Sequence, residues 1–218
     1  MSRSRALRLE DRADARMASL LDAALRVFAR RGYRAARIDD VADEAGVTKG
    51  AIYHYFDTKE ALLLRVIEHY QARAFLRAEE ALRDTRLPAS TRIRSLVRKV
   101  FGRRSDEVGN SLLALLIRNA AQEVPRVHDR WLRDGPARLW TLIAGLVEEG
   151  KARGEFRADA DGEIGARILV SGLMLQLMWQ PHAPGVTAVA ADVDRLIDSG
   201  VELFLAGLRP VTPGRTRE

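Results

Sequence analysis

Apolar residues recur along this chain at three- and four-residue steps, and no segment shows the sustained two-residue alternation of a strand. Met17, Leu20, Leu21, Ala24, Val27 and Phe28 form the first stripe and predict a long helix over 12–31, ended by Gly32. Arg26, Arg30 and Arg31 lie off that stripe, where cations near a helix C-terminus suit its dipole. Ile38–Ala45 then reads as a short helix, Gly46-Val47 as a tight turn and Thr48 as the N-cap of a second short helix, Lys49–Phe56. Ile52 and Phe56, four apart, are expected in the core with Val41 and Val47, which puts Lys49, Gly50, Tyr53 and His54 on the opposite face. Asp57-Thr58-Lys59-Glu60 opens a longer helix over 58–85, with Lys59 at its tip aimed the same way and Leu62, Leu63, Val66, Ile67, Tyr70 and Ala74 on its apolar side.

Pro88 breaks that helix, and the pattern beyond it stays helical over 89–104, 108–123, 125–153, 160–180 and 187–207. Pro125 suits a first helical turn, and Gly135-Pro136 must kink or split the helix it falls in. The last ten residues, with Pro210, Pro213, Gly214, Arg215 and Arg217, read as a disordered tail. The prediction is an all-α chain. An N-terminal three-helix domain over 12–68 carries a helix-turn-helix, and a helical domain over 69–208 follows, the boundary falling inside the 58–85 helix near Glu68–Tyr70.

Composition narrows the function. At 218 residues and 47% hydrophobic the chain can bury a sizeable core. It contains no cysteine, which excludes disulfides and thiolate metal sites and fits a reducing, cytoplasmic setting. No apolar run is long enough to span a membrane, and the first residues lack the apolar core of a signal peptide. The net charge of +6 and a pI near 10.1 point to a polyanionic partner. Arg3, Arg5 and Arg8 sit in a stretch with little apolar content, residues 1–11. It reads as a frayed tail or, alternatively, as an arm that closes on phosphates or a minor groove.

His54, His69, His128 and His182 form neither an H-E-x-x-H motif nor a close pair, so no metal site is expected. Asp159-Ala160-Asp161-Gly162-Glu163 has the wrong glycine spacing and the wrong terminal residue for a calcium loop. Neither a phosphate loop nor a nucleophile elbow is present, and no catalytic residue or cofactor is assigned. Two short helices joined by a Gly-containing turn make a helix-turn-helix, whose second helix commonly enters the major groove. The plain alternative is a helical hairpin with its polar side in water. An all-α enzyme or a ligand-binding protein with no operator is the rival class.

The wording of the stretch separates these readings. Leu20-Leu21-Asp22-Ala23-Ala24, Phe28, Gly32-Tyr33, Val41-Ala42, Ala45-Gly46-Val47, Thr48-Lys49-Gly50-Ala51-Ile52-Tyr53, Phe56 and Lys59-Glu60-Ala61-Leu62 occur in order and in register. In these residues the first sixty to seventy positions resemble the DNA-binding domain of the TetR family of bacterial transcriptional regulators. One departure stands out: the family usually places Thr or Ser just before the first hairpin helix, and this chain has Ala36-Arg37. The cap is expected to be missing, at a cost of ~1 kcal/mol, with Arg37 available for the phosphate contact. Asp39 and Asp40 suit the helix N-terminus but would repel phosphates if they faced DNA.

The resemblance implies a homodimeric, ligand-responsive regulator, most simply a repressor, that binds a palindromic double-stranded DNA operator and is released by a small hydrophobic effector. Matched position by position, Lys49, Gly50 and Ala51 lie nearest base edges, while Thr48, Tyr53, His54, Tyr55 and Lys59 hold phosphates, with Arg37 as an extra contact. The family keeps its effector among the later helices, where this chain has Phe101, His128, Trp131, Trp140, Met174 and Met178. Its last two helices pair with the same two of a second subunit. That places Leu169, Gly172, Leu173, Val193, Ile197 and Phe204 at the expected seam.

Overall fold

A computed structural model of the chain describes the backbone of residues 2–102, 122–179 and 193–210, and the side chains of 12–102, 122–176 and 193–210. The described residues are helical and contain no strand. In chain order the helices are α1 (Ser2–Arg31), α2 (Ile38–Ala45), α3 (Lys49–Tyr55), α4 (Lys59–Arg83), α5 (Ala89–Phe101), α6 (Pro125–Asp134), α7 (Pro136–Ala152), α8 (Gly162–Trp179) and α9 (Val193–Leu208). Most of the helix expected over 108–123, the start of the one expected over 187–207, the side chain of Met178 and residues 211–218 of the expected tail lie outside the described residues.

The helix expected to begin at residue 12 begins instead at Ser2, so the stretch read as a frayed tail is helical. Residues 2–11 hold neither Gly nor Pro and include three Arg and two Leu, which disfavour a helix little. Gly135 and Pro136 divide the long helix of the expectation into α6 and α7, with Pro136 in the first turn of α7, where its missing N–H is not needed.

The chain forms two compact units. The first runs to Ala72 and takes back the described residues 122–132, and the second begins at Arg73 and resumes at Arg133. The division therefore falls later in α4 than the expected 68/69 boundary, and part of the expected C-terminal domain joins the first unit. Burial explains the second difference: Val124 and Val127 lie in the same core as Leu21, Phe28, Val41, Ile52, Leu63 and Ile67. That core closes α1, α2, α3 and the first half of α4 around one apolar centre.

The second unit has its own core, built from Ile93, Leu96 and Val97 of α5, Leu139, Ile143 and Leu146 of α7, Leu169 and Leu173 of α8, and Ile197, Val201 and Leu205 of α9. Helices α8 and α9 approach closely where small residues allow it. A methyl group on Gly165 would stand 2.8 Å from the Phe204 ring. At the rim Arg94 holds Glu202 through two contacts of 2.5 and 3.2 Å, tying α5 to α9.

Candidate nucleic-acid interface

Helices α2 and α3 meet at Gly46, whose φ of 65° is the left-handed conformation that glycine adopts without a Cβ penalty. The N–H of Val47 donates back to the Ala42 carbonyl at 3.0 Å and closes the turn. Thr48 then caps α3, its Oγ1 accepting from the Ala51 N–H at 3.2 Å, as expected of an N-cap threonine. Ile52 and Phe56 are buried with Val41 and anchor α3 from behind. Val47 departs from the expectation: it is 40% exposed. It follows the left-handed residue and lies outside the core cluster.

With its inner face anchored, α3 presents Thr48, Lys49, Gly50, Tyr53, His54 and Tyr55 to solvent, with Ala51 half-buried at the edge. Arg37 at the start of α2 is exposed as well. Tyr53 and Tyr55 are 46% and 59% exposed, although each carries a ring that folding usually hides. His54 packs edge-on against Tyr55, ring centres 5.1 Å apart. The seven residues Arg37, Thr48, Lys49, Gly50, Tyr53, His54 and Tyr55 therefore lie where a groove or a phosphate could reach them.

The electrostatic arrangement differs from the sequence reading in three places. First, the α2 cap is only half missing. Arg37 offers no side-chain acceptor, but its backbone N–H donates to Asp40 Oδ2 at 2.9 Å, the reciprocal half of a capping box. Asp40 also lies 3.3 Å from Arg31, so its charge is turned toward its own helix and α1. Secondly, Asp39 pairs with Lys49, Nζ to Oδ2 at 2.9 Å, and this hydrogen bond holds the lysine pKa above its ordinary value.

Thirdly, Lys59 is not a free cation reaching for phosphate. Its ammonium donates to the carbonyls of Tyr33 at 2.7 Å, Ala36 at 2.9 Å and Arg34 at 3.3 Å, and sits 4.4 Å from the centre of the Tyr33 ring. An ammonium has three donors and all three are engaged. The turn between α1 and α2 exposes carbonyls that no helix satisfies, and Lys59 is the group that satisfies them.

Other residues that build the interface carry weak sequence signals or none. Glu44 accepts from Arg26 at 2.8 Å and from Arg30, locking α2 to α1, and these hydrogen bonds hold its carboxyl below the usual range. Thr58 Oγ1 accepts from the Ala61 N–H at 3.0 Å and caps α4, a pattern legible as a hydroxyl directly before the first helical residue. Glu123 accepts from the Arg34 N–H at 3.2 Å, a contact spanning 89 residues that no local pattern reveals.

Of the six expected effector residues, five have described side chains, two in the first unit and three in the second. His128 and Trp131 belong to the DNA-binding unit, where their rings meet at 5.3 Å and the Trp131 carbonyl accepts from Gln71 at 2.8 Å. Phe101, Trp140 and Met174 are half-buried against the second core. The residues of the expected seam differ in burial. Leu169, Leu173 and Ile197 are buried in the second core, where the 3.6-residue period of α8 and α9 turns them inward. Val193 and Phe204 are half-buried, while a side chain on Gly172 would meet nothing within 4 Å. The outward faces carry instead Ile164, Ile168 and Leu175 of α8 and Leu203 of α9. Among the described residues no group of three or more His, Asp or Glu could hold a metal ion, and no helix is long and apolar enough to cross a membrane.

Comparison with known proteins agrees with this geometry. The family model described as "Bacterial regulatory proteins, tetR family" matches residues 20–66, the span from α1 into α4. The chain is similar to the HTH-type transcriptional repressor KstR2 of Rhodococcus jostii, 27% identical over 193 residues that cover 88% of this chain and 91% of that protein. Over 72 residues, a third of each chain, it is 42% identical to the HTH-type transcriptional activator FasR of Mycolicibacterium smegmatis. Its fold is similar to that of the transcriptional regulator FadR from Bacillus subtilis in complex with stearoyl-CoA, with a TM-score of 0.70, 23% identity and coverage of 88% and 98% of the two chains. The chain is a DNA-binding transcriptional regulator whose residues 20–66 match the tetR-family model.

Proposed function

We propose that the chain is a cytoplasmic repressor that binds a palindromic operator as a homodimer and leaves it when a hydrophobic small molecule occupies the second unit. The observation that carries this reading is the division of α3 into a buried face, Ile52 and Phe56, and an exposed face of Thr48, Lys49, Gly50, Tyr53, His54 and Tyr55. Such a helix is anchored from behind and free in front, which is what insertion into a major groove needs. Lys49, Gly50 and Ala51 face base edges in this reading. Thr48, Tyr53, His54, Tyr55 and Arg37 hold phosphates, and Lys59 supports them from inside. The role is regulation and no catalytic step is assigned.

The exposed apolar stripe of Ile164, Ile168, Leu175 and Leu203 supports the dimer, since two copies can bury it about a two-fold axis and present two α3 helices to a symmetric site. For the effector, Phe101, Trp140 and Met174 offer aromatic and thioether surface within one unit. Long-chain acyl thioesters are the first class to try, because a similar fold was solved with stearoyl-CoA. Selection of duplexes from a random pool, followed by gel shift with and without such a thioester, tests the reading. Selection of a palindrome, released by thioester, is expected. In the cell, deleting the gene should raise an adjacent transcript; a fall makes the chain an activator.

A further inference from the structure

Lys49 and Asp39 come from opposite halves of the helix-turn-helix, and their side chains meet at 2.9 Å while both stay half-exposed, at 51% and 56%. The fold does not need the pair. Thr48 caps α3, Asp40 caps α2, and Glu44 locks α2 to α1. An exposed ion pair adds little to stability in any case. A carboxylate in this position also works against binding a polyanion, unless it has a donor to meet. What the pair does provide is an ammonium donor and a carboxylate acceptor, side by side, on the exposed surface that carries Gly50 and Tyr53.

The major-groove edge of one base pair has the complementary order. Guanine presents two adjacent acceptors, N7 and O6, and its cytosine presents the N4 donor beside them. Adenine–thymine alternates acceptor, donor and acceptor and ends on a methyl group, so an ammonium finds no two neighbouring acceptors there. We infer that Asp39 and Lys49 act as one unit that reads a single G·C pair in each half of the operator, Lys49 donating to guanine O6 and N7 and Asp39 accepting from cytosine N4. The inference rests on the DNA-binding reading above and adds base identity to it. Asp39 has a second consequence: by holding Lys49 it keeps the ammonium from settling on phosphates, which lowers affinity for arbitrary sequence and widens the gap between operator and bulk DNA.

The test is selection from a random duplex pool with the full chain and with Asp39→Ala, Asp39→Asn and Lys49→Met, followed by dissociation constants on the selected and on a scrambled duplex. Thermal melting of each variant checks folding. The parent is expected to fix one G·C position per half-site. Asp39→Ala should lose preference at that position alone, bind the scrambled duplex more tightly, and narrow the ratio of operator to scrambled affinity on the order of 10-fold. The double variant Asp39→Ala/Lys49→Met should cost less specificity than the two single changes summed, as expected of residues acting together. If Asp39→Ala selects the same sequence at every position and gains equally on all duplexes, Asp39 is only a repelling surface charge and the inference falls. Selection of A·T at the position set by the pair also overturns it. A parent chain that selects no sequence overturns the proposed function itself and this inference with it.

Discussion

The ammonium of Lys59 stands 2.7 Å from the carbonyl oxygen of Tyr33 and 4.4 Å from the centre of the same residue's ring. Two further carbonyls, of Arg34 and Ala36, complete its contacts, so the first residue of α4 fastens the turn that launches α2. Tyr33 lies partly buried between this cation and the carboxylates of Glu60 and Glu123; burial and then those two charges raise its pKa above 10.0. The position of the helix-turn-helix thus depends on a lysine in the first turn of α4.

Lys59→Met should destabilise the DNA-binding unit by roughly 1–3 kcal/mol, because it strips three carbonyls of their donor. Operator affinity should fall with it, but the slope of log affinity against log salt should stay near that of the parent. A slope lower by about one unit per subunit, with an unchanged melting temperature, would mark Lys59 as a phosphate contact instead.

Glu155 provides a pH-dependent cap in the second unit. It accepts from the backbone N–H groups of Ala89 at 2.7 Å and Ser90 at 2.9 Å, at the start of α5. Burial alone would raise its pKa, but hydrogen bonds from Ser90 and Ala89 outweigh that and hold it below 4.5. A pKa depressed in the folded state means that the unfolded chain takes up the proton first. The stabilisation is therefore present above the ordinary carboxylate range and is lost as pH falls through the folded value. Glu155→Ala should cost ~1 kcal/mol at neutral pH and less once acid protonates the carboxylate of the folded chain. Melting curves of both proteins across this range check the sign; a difference that grows on acidification would contradict the assignment.

The outward faces of α8 and α9 make the proposed dimer testable without damaging the fold. Ile168 and Leu203 are 69% and 76% exposed, so Ile168→Glu with Leu203→Glu should leave the monomer folded, shift sedimentation to half the mass and weaken operator binding. Gly172→Trp has room within the subunit and should crowd only a partner. Leu173→Glu, by contrast, should unfold the second unit. A double variant that remains dimeric would move the seam elsewhere.

Effector and operator should oppose each other. A coupling of ~1–3 kcal/mol corresponds to a 5- to 150-fold loss of operator affinity, and linkage requires the same factor on effector affinity when operator is present. Trp140, half-buried in the second unit with Arg167 5.4 Å from its ring, is a natural fluorescent reporter. Titrating a long-chain acyl thioester with and without operator DNA should give two different dissociation constants. Identical constants would rule out thermodynamic coupling between the two sites.

Local chemistry made much of the fold legible in the sequence. The period of Leu20, Leu21, Ala24 and Phe28, the Gly46 turn and the Thr48 cap are set within a few residues, and the structure follows them. Two kinds of feature were not legible. Pairing over distance, such as Glu123 with Arg34 or Lys59 with the Tyr33 carbonyl, leaves no periodic mark. Nor does a list of aromatic and thioether residues reveal which core each joins: Trp131 packs on the first, Trp140 and Met174 on the second. On α8 the apolar residues surround more of the helix than one neighbour can cover. Only the packed structure distinguishes Leu169 and Leu173, turned inward, from Ile164 and Ile168, turned out.

The central claim is that α3 reads DNA with its exposed face, and one measurement addresses it most directly: fluorescence anisotropy of a labelled duplex, chosen by selection from a random pool, titrated with the parent chain and with Lys49→Ala, Tyr53→Ala and Ile164→Ala. Saturation at two chains per palindromic duplex is expected, with large losses for Lys49→Ala and Tyr53→Ala. Ile164→Ala should show at most a small loss through weaker dimerisation. Equal binding by all four proteins, or failure of the parent to enrich any sequence, would contradict the account.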